Sequence, residues 1–456
     1  MPTATYAYVT LYQALSDLGQ RLYDTTQQMW SAAELTAYIQ DALRIWNALT
    51  SFYRDSMTVT LSPNKIWYDL PSQKNSLRPY TATDQSQIQL IEYALLEPIT
   101  SSYPLAWAGS LQFAIADILA NWTAKQNEVL GTTGCTLTPT VVSAPTSWQR
   151  IFPPDTTLVI RRVAWIPVAG QGYSTTALRQ SDGWAKVAYD RNYTTAAPAP
   201  PRSWMQSTQP PPSFDVDRLP PVTGQYEMLL SLSGPNSSST AASTCAVPDD
   251  WVWVARWGAL ASLLGHESNA SDPLRADYAE KRFQQGMVLM SDASAVLDLR
   301  INNIPRFLDG VRNGDDFNAN WQGKAGAPPR VGYTAGLNLL AFPPIDGVIG
   351  GYSATVSVVG NMPMPATSGD FLQISRDDYD SVLDEAQHIA MFKIGGQEFL
   401  ASLPLHAAFL KRAALYNSKL AEMGSYARDI LEASRIEDER NPVYTTGQGP
   451  KEILGQ

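Results

Sequence analysis

The stretch that decides the fold is SAAELTAYIQDALRIWNAL, Ser31 to Leu49. Its apolar residues recur at three- and four-residue steps, which places them on one face of an amphipathic helix. Ser31 and Glu34 have capping-box spacing, in which the serine oxygen accepts from a free amide and the glutamate reaches back. The residues of the apolar face are Leu35, Tyr38, Ile39, Ala42, Trp46 and Leu49, and the residues predicted to point away from it are Asp41, Arg44 and Asn47.

Outward from this helix, the pattern alternates between helical and β-prone segments. The helical patterns run from about 11–28, 84–96, 105–130, 251–264, 274–290, 375–393 and 404–435. MTVTL and KIWYDL after Arg54 predict a hairpin or strand pair, and further strands are predicted at 157–168, 183–190, 225–233 and within 331–359. Pro198 to Pro221 holds eight prolines in 24 residues, which predicts a stiff extended connector or arm.

This order predicts an α+β fold, in which one discontinuous α-helical body carries two inserted β modules and extended Pro-rich arms. Helices that are distant in sequence still bury their faces together when a β module is inserted between them. The predicted regions are an N-terminal helical region with a short β-hairpin (1–133), a β insertion with the Pro-rich arm (134–247), a helical pair (248–300), a second β and loop module (301–373), and a C-terminal helical region with an extended tail (374–456).

Composition excludes several classes of protein. The 456 residues are 44% hydrophobic and 17% charged, which indicates packed cores and not a largely disordered chain. Lys and Arg total 33 against 43 Asp and Glu, a net charge of −10 that argues against a broad grip on nucleic-acid phosphates. No run approaches the roughly 20 apolar residues of a membrane span, and the first residues lack a signal-peptide pattern. We expect a soluble chain without a membrane partner.

Candidate chemical motifs are weak, so we expect no catalytic residue, no cofactor and no metal. Cys135 and Cys245 do not form a metal-binding pair, although a disulfide between them stays an alternative to two reduced thiols. The three histidines, His266, His388 and His406, are scattered singly. GQGYST at 170–175 lacks the third glycine of a dinucleotide turn, and GKA at 323–325 lacks the residues of a phosphate loop.

Three acidic pairs and a set of tryptophans leave a glycan-active or receptor-binding protein as an alternative. Two carboxylates across a sugar cleft and aromatic stacking platforms are what a glycosidase needs. The pairs are Asp249/Asp250, Asp315/Asp316 and Asp377/Asp378. Because two of them directly precede predicted helices, helix capping explains them better.

Aromatic helix faces and proline-rich segments indicate a subunit held by neighbours in a larger assembly. The candidate interface residues are Trp30, Leu35, Tyr38, Trp46, Trp251, Trp253, Trp257, Pro210, Pro211 and Pro212. A soluble α+β scaffold protein of cellular origin is a further alternative.

One protein family has helices with a similar sequence pattern. WSAAELTAYIQDALRIWNALTSFYRD, Trp30 to Asp55, resembles the opening helix of head-to-tail adaptor or neck proteins of tailed bacteriophages, with the form W-S-x-x-E-L-x-x-Y-I-x-x-A-L-R-x-W. The helix pair at Trp257 to Met290, containing ALASLLGHESNASDPLRADYAEKRFQQGM, is similar to later helices of such adaptors. The match covers about a quarter of the chain, and the β modules depart from a minimal adaptor.

The resemblance implies a non-enzymatic ring subunit beneath the portal, located in the virion and made in the host cytoplasm. Its implied partners are copies of itself, the portal protein, and tail or other neck proteins, with passive contact to double-stranded DNA in the exit channel. The departures leave a collar, tail or fibre-attachment protein with a glycan- or receptor-binding role as the alternative.

Overall fold

The structure is a computed structural model of the chain. It describes residues 6–63, 65–70, 81–95, 110, 135–142, 150–155, 157–167, 175–207, 211–232, 247, 249–265, 272–292, 296–302, 304–323, 329–335, 339–343 and 352–417. The predicted helix at 105–130, apart from Ser110, and the tail after residue 417 lie outside these residues.

The described helices confirm the α+β class together with the strands below. They are α1 (Leu11–Arg21), α2 (Ala32–Thr50), α3 (Asp84–Leu95), α4 (Gly183–Tyr189), α5 (Val252–Gly265), α6 (Pro273–Asp292), α7 (Val311–Phe317), α8 (Tyr379–Ile394) and α9 (396–417). All of them except α4 and α7 bury apolar side chains in one core, which we call the helical body.

Helix α2 begins as its sequence predicts, but only half of the capping box forms. The Ser31 side chain accepts a hydrogen bond from the Glu34 amide. Glu34 itself is buried, and its carboxylate accepts from Lys393 on α8 and from the Tyr38 hydroxyl. The predicted return contact of Glu34 with the cap is therefore replaced by an ion pair with a distant helix.

The side of α2 that points away from its apolar face is not exposed to solvent either. Asp41 is 5% exposed and accepts two hydrogen bonds from Arg256 on α5, at 2.6 and 2.9 Å. Asn47 donates to the carbonyl of Gly360 and accepts from the amide of Tyr53. Since the Asp41 carboxylate and the Asn47 amide each have specific partners, these two side chains can be enclosed by protein without being left unsatisfied.

The strands form three sheets. They are β1 (Arg54–Leu61), β2 (Trp67–Asp69), β3 (Cys135–Val142), β4 (Thr157–Pro167), β5 (Thr176–Ala177), β6 (Arg179–Gln180), β7 (Ser203–Gln206), β8 (Phe214–Val216), β9 (Gly224–Leu232), β10 (Val296–Ile301), β11 (Ile304–Gly310), β12 (Val331–Ala335), β13 (Leu339–Ala341) and β14 (Tyr352–Val359). The sheet orders are β1-β14-β10-β11-β12-β13-β2, β3-β9-β4-β5 and β6-β7-β8.

The predicted hairpin of β1 and β2 is wrong. These two strands lie at opposite ends of the seven-stranded sheet, where β1 pairs antiparallel with β14 and β2 with β13. The apolar residues of β1 are buried against a strand that is distant in the sequence. For example, Val59 lies opposite Ala354 of β14, and both are buried in the core of this sheet. The second β module is thus built from two separate parts of the chain, 54–69 and 296–359.

The β insertion corrects two further predictions. Residues 183–190, predicted as a strand, contain helix α4, whose first turn is closed by the Lys186 amide on the Asp182 carbonyl. The proline-rich segment is not an extended arm where it is described, because β7 and β8 pair within it and bury Trp204 and Phe214. Its prolines flank these strands and do not interrupt them, which is where proline is tolerated.

Candidate functional site

The interface predicted on aromatic helix faces is not supported by the structure. The seven candidates on helices or directly before them are each 6% exposed or less and lie in the helical body: Trp30, Leu35, Tyr38, Trp46, Trp251, Trp253 and Trp257. Their side chains pack against other helices of the same chain. A single sequence shows which face is apolar but not whether the same chain or a neighbour covers it, and here the same chain does.

The three proline candidates lie in the loop between β7 and β8. Pro211 is exposed and Pro212 is half-buried, whereas Pro210 lies outside the described residues. The loop joins two strands that belong to the core of the β insertion. Any contact made by Pro211 with a neighbour would therefore be presented by a packed module and not by a free arm.

One carboxylate of each acidic pair is held by a partner other than a helix end that follows it. Asp249 accepts from the amides of Thr81 and Ala82. Asp378 stands at the N-cap position of α8 without a capping bond from its side chain, and its carboxylate binds Arg412 on α9. The capping explanation is wrong for Asp378, and its actual role is to tie α8 to α9.

A buried charge cluster, which sequence reasoning missed, lies between α6, α8 and α9. Arg282 donates to Glu385 at 2.6 Å, and the Glu385 side chain is fully buried. Glu385 also lies 2.7 Å from Nδ1 of His406, whose Nε2 is 2.9 Å from Arg282. Burial would raise the pKa of the Glu385 carboxyl, but the charge of Arg282 and the hydrogen bond from His406 lower this pKa to about 2. We call these three residues the helical charge cluster.

His388 stacks on His406 of this cluster, with ring centroids 5.2 Å apart, and belongs to its own chain of hydrogen bonds. The Tyr278 hydroxyl contacts its Nε2, and its Nδ1 lies 2.7 Å from the Ser402 oxygen. Ser402 in turn donates its proton to the carbonyl of Phe399 at 2.6 Å. Because that proton is already committed, Nδ1 donates to Ser402 and Nε2 accepts from Tyr278, which fixes a neutral histidine.

This arrangement is unsuited to nucleophilic catalysis. A histidine that activates a serine must accept the hydroxyl proton, whereas Ser402 here accepts from His388. Burial lowers the pKa of His388 to about 3, in spite of the opposing charge of Glu385, and so keeps the imidazole neutral. The group serves instead to satisfy polar atoms in the core of the helical body.

A second charge cluster lies where the two β modules meet. Arg162 on β4 donates to Asp315 on α7 at 2.5 and 2.9 Å and to Glu227 on β9 at 3.2 Å. The indole N–H groups of Trp321 and Trp67 donate to the same two carboxylates. The acidic residue Asp315 is therefore a partner of an arginine, and the set of Arg162, Asp315 and Glu227 is here called the junction cluster.

Beside the junction cluster is a cleft with a volume of about 490 Å³. Its apolar lining comes from both modules and includes Leu178, Leu229 and Val311. Arg179 on β6 and Arg312 on α7 line it as well, and both side chains are exposed. Among the described residues, neither guanidinium has a hydrogen bond or ion pair. The volume lies within the range of about 300 to 1,000 Å³ of small-ligand pockets.

One sequence signal pointed toward this cleft. Arg161 and Arg162 stand next to each other within TLVIRRVAWIP, so one of the two had to point into a packed face of strand β4. A charge that is forced into an apolar strand calls for a buried partner. No such signal marks Arg179 or Arg312, because their position depends on the meeting of two modules.

Other candidates contribute less. His266, Cys245 and most of GQGYST lie outside the described residues. Among the residues that the structure does describe, no group of three or more His, Cys, Asp or Glu side chains is placed to hold a metal ion. None of the helices found there is both long and apolar enough to cross a membrane.

No protein-family model matches the chain, and a search of curated proteins finds no relative.

Proposed function

We propose that this chain is a non-enzymatic structural subunit of a tailed-phage virion, a ring component of the neck that links the portal to the tail. The observation that supports this proposal is the packing of the two stretches that resemble adaptor helices. Helix α2 and the pair α5–α6 share one core, and the buried ion pair of Asp41 with Arg256 joins α2 to α5. The helices that resemble those of adaptor proteins thus belong to one packed unit, the helical body.

The proposed contacts with neighbours lie on exposed aromatic side chains. Tyr8, Tyr12 and Phe371 are 46%, 69% and 43% exposed. They come from two segments that are hydrogen-bonded to each other, because the amide of Leu11 binds the carbonyl of Asp370 and the amide of Leu372 binds that of Val9. Aromatic side chains are enriched at protein interfaces. In this proposal, the neighbours are copies of the chain, the portal protein, and tail or other neck proteins.

The proposal is tested by quantitative mass spectrometry of density-purified particles. The expected result is a copy number, relative to the major capsid protein, that equals one ring or a few rings. Absence of the chain from mature particles would contradict the proposal.

The proposed contact surface is tested by the double variant Tyr12→Ser and Phe371→Ser. We expect the variant to fold, because Tyr12 is largely exposed and Phe371 partly exposed, and to be depleted from particles. The matched control is Tyr189→Ser on α4, which removes a side chain that is 93% exposed but lies in the β insertion. Equal incorporation of the double variant and the control into particles would show that neighbouring subunits do not bind at this surface.

A further inference from the structure

The cleft beside the junction cluster has the features of a binding site that the neck function does not require. Two of its arginines, Arg179 and Arg312, come from different modules, one from β6 and one from α7. Within the described part of the chain, neither has an acidic partner, although arginines in the two charge clusters do. A guanidinium without a partner in a concave site is suited to bind a carboxylate through two parallel hydrogen bonds.

The junction cluster gives this site a rigid wall. Arg162 is 6% exposed and is held by Asp315, Glu227 and the side chain of Gln322 at once. Its charge is thereby neutralised and its position fixed, so it shapes the cleft while the outer arginines remain available. A wall that is fixed before binding lowers the entropic cost of holding a ligand.

The inner lining determines what else the ligand must carry. Ala177, Leu178, Leu229 and Val311 are buried apolar side chains, and Trp204 closes the same surface. The rest of the lining, which includes Arg161 and Gln180, is polar or charged. An apolar floor beside arginines suits an organic acid with an apolar body better than a small hydrated ion. Asp316 also lines the cleft but is exposed, so water solvates its charge.

We propose that this cleft binds a small organic acid, with its carboxylate between Arg179 and Arg312 and its apolar body against Leu178, Leu229 and Val311. The ligand bridges the β insertion and the second β module. The site is independent of the proposed virion function, since it depends on geometry within one chain.

Isothermal titration calorimetry with 2-naphthoate tests this proposal on the full chain. The neutral isostere 2-naphthamide has the same ring system without the charge. We expect saturable binding of naphthoate and at least tenfold weaker binding of the amide. Equal affinity for the two compounds, or no binding of naphthoate, would overturn the proposal.

Variants test which residues hold the acid. Arg179→Gln combined with Arg312→Gln is expected to weaken naphthoate binding at least tenfold while the thermal unfolding of the protein stays unchanged. The matched control is Arg300→Gln on β10, which removes an exposed arginine whose partner is Asp298. Equal naphthoate affinity in the double variant and in the control would overturn the assignment to this cleft.

Two competitors test the chemical class of the ligand. Inorganic phosphate at the same concentration is expected to leave naphthoate binding unchanged, because it has no apolar body. A synthetic peptide of residues 432–440, EASRIEDER, carries carboxylates on a polypeptide. Displacement of naphthoate by phosphate or by this peptide would overturn the assignment to a small organic acid.

Discussion

Two buried arginines, Arg282 in the helical body and Arg162 at the junction of the β modules, are held by carboxylates in different surroundings. Arg282 meets a fully buried Glu385, and each polar contact there leads to another side chain of the core. Arg162 meets carboxylates that are 15% and 16% exposed, and its neighbours in sequence and space border a cleft. The helical charge cluster is enclosed and serves stability, whereas the junction cluster supports a surface that a ligand can reach.

The largest expected effect is the loss of the negative charge in the helical charge cluster. Glu385→Gln leaves Arg282 buried without a counter-charge, and such a change costs about 3 to 5 kcal/mol of the free energy of unfolding. Urea denaturation followed by circular dichroism measures it. The control is Asp277→Asn, which breaks an exposed ion pair with Lys281 on α6 and should change stability by less than about 0.5 kcal/mol. Similar results for the two variants would mean that the cluster is not closed to water.

Loss of the arginine from the junction cluster is expected to destabilise the protein less than loss of the Glu385 charge. Arg162→Met leaves Asp315 and Glu227 without their cation, but both keep an indole N–H donor and are partly hydrated. We expect a destabilisation of about 2 to 3 kcal/mol, below that of Glu385→Gln. The same urea titration measures the difference. A larger loss than that of the Glu385 variant would reverse the comparison.

Local signals in the sequence predict the longer described helices, whereas the short α4 was predicted as a strand and the short α7 was not predicted. The periodicity of α2 and its Ser31 cap involve residues only a few positions apart, and the start of α6 is marked by Asp272 and Pro273. The error at α4 also comes from relying on local signals. The β-prone residues of this segment predicted a strand, whereas the Lys186 amide and the Asp182 carbonyl close a helical turn.

Contacts between distant segments could not be predicted. Asp41 and Arg256 are 215 positions apart, and Arg162 and Asp315 are 153 apart. A single sequence does not indicate which of many opposite charges meet, so the partners of Asp41 on α2 and of the arginines in both charge clusters could not be identified by sequence analysis. The β1–β14 pairing was missed for the same reason, since strand register is set by a partner and not by local pattern.

The pH dependence of stability sharpens the comparison, because the neutral histidine belongs to the helical body alone. Burial lowers the pKa of His388 to about 3, below the value of 6.5 that an unfolded chain shows. The unfolded state therefore binds more protons between these values, and stability falls as the pH falls. The expected loss is about 1.4 kcal/mol for each pH unit below 6. Below pH 4.5, protonation linked to Glu385 adds to it.

Urea titrations at pH 7, 6 and 5 measure how the free energy of unfolding changes with pH. The variant His388→Gln tests whether His388 causes this change. Tyr278, Arg282, Glu385 and His406 are the ionisable groups around His388. With the histidine replaced, the free energy of unfolding should change less between pH 6 and 5 than in the unaltered chain. An unchanged slope would assign the proton uptake to another group.

The smallest expected effect is on the open side of the junction. Arg179→Gln should change the free energy of unfolding by less than about 0.5 kcal/mol, because the side chain is exposed and has no partner among the described residues. Arg162→Met, from the same cleft, serves as the reference with a large loss. If Arg179→Gln destabilised the chain by about 1 kcal/mol or more, Arg179 would have a structural partner, as exposed ion pairs seldom contribute more than that. A neutral result would mean that Arg179, unlike Arg162, does not contribute to stability, which leaves its guanidinium available for a ligand.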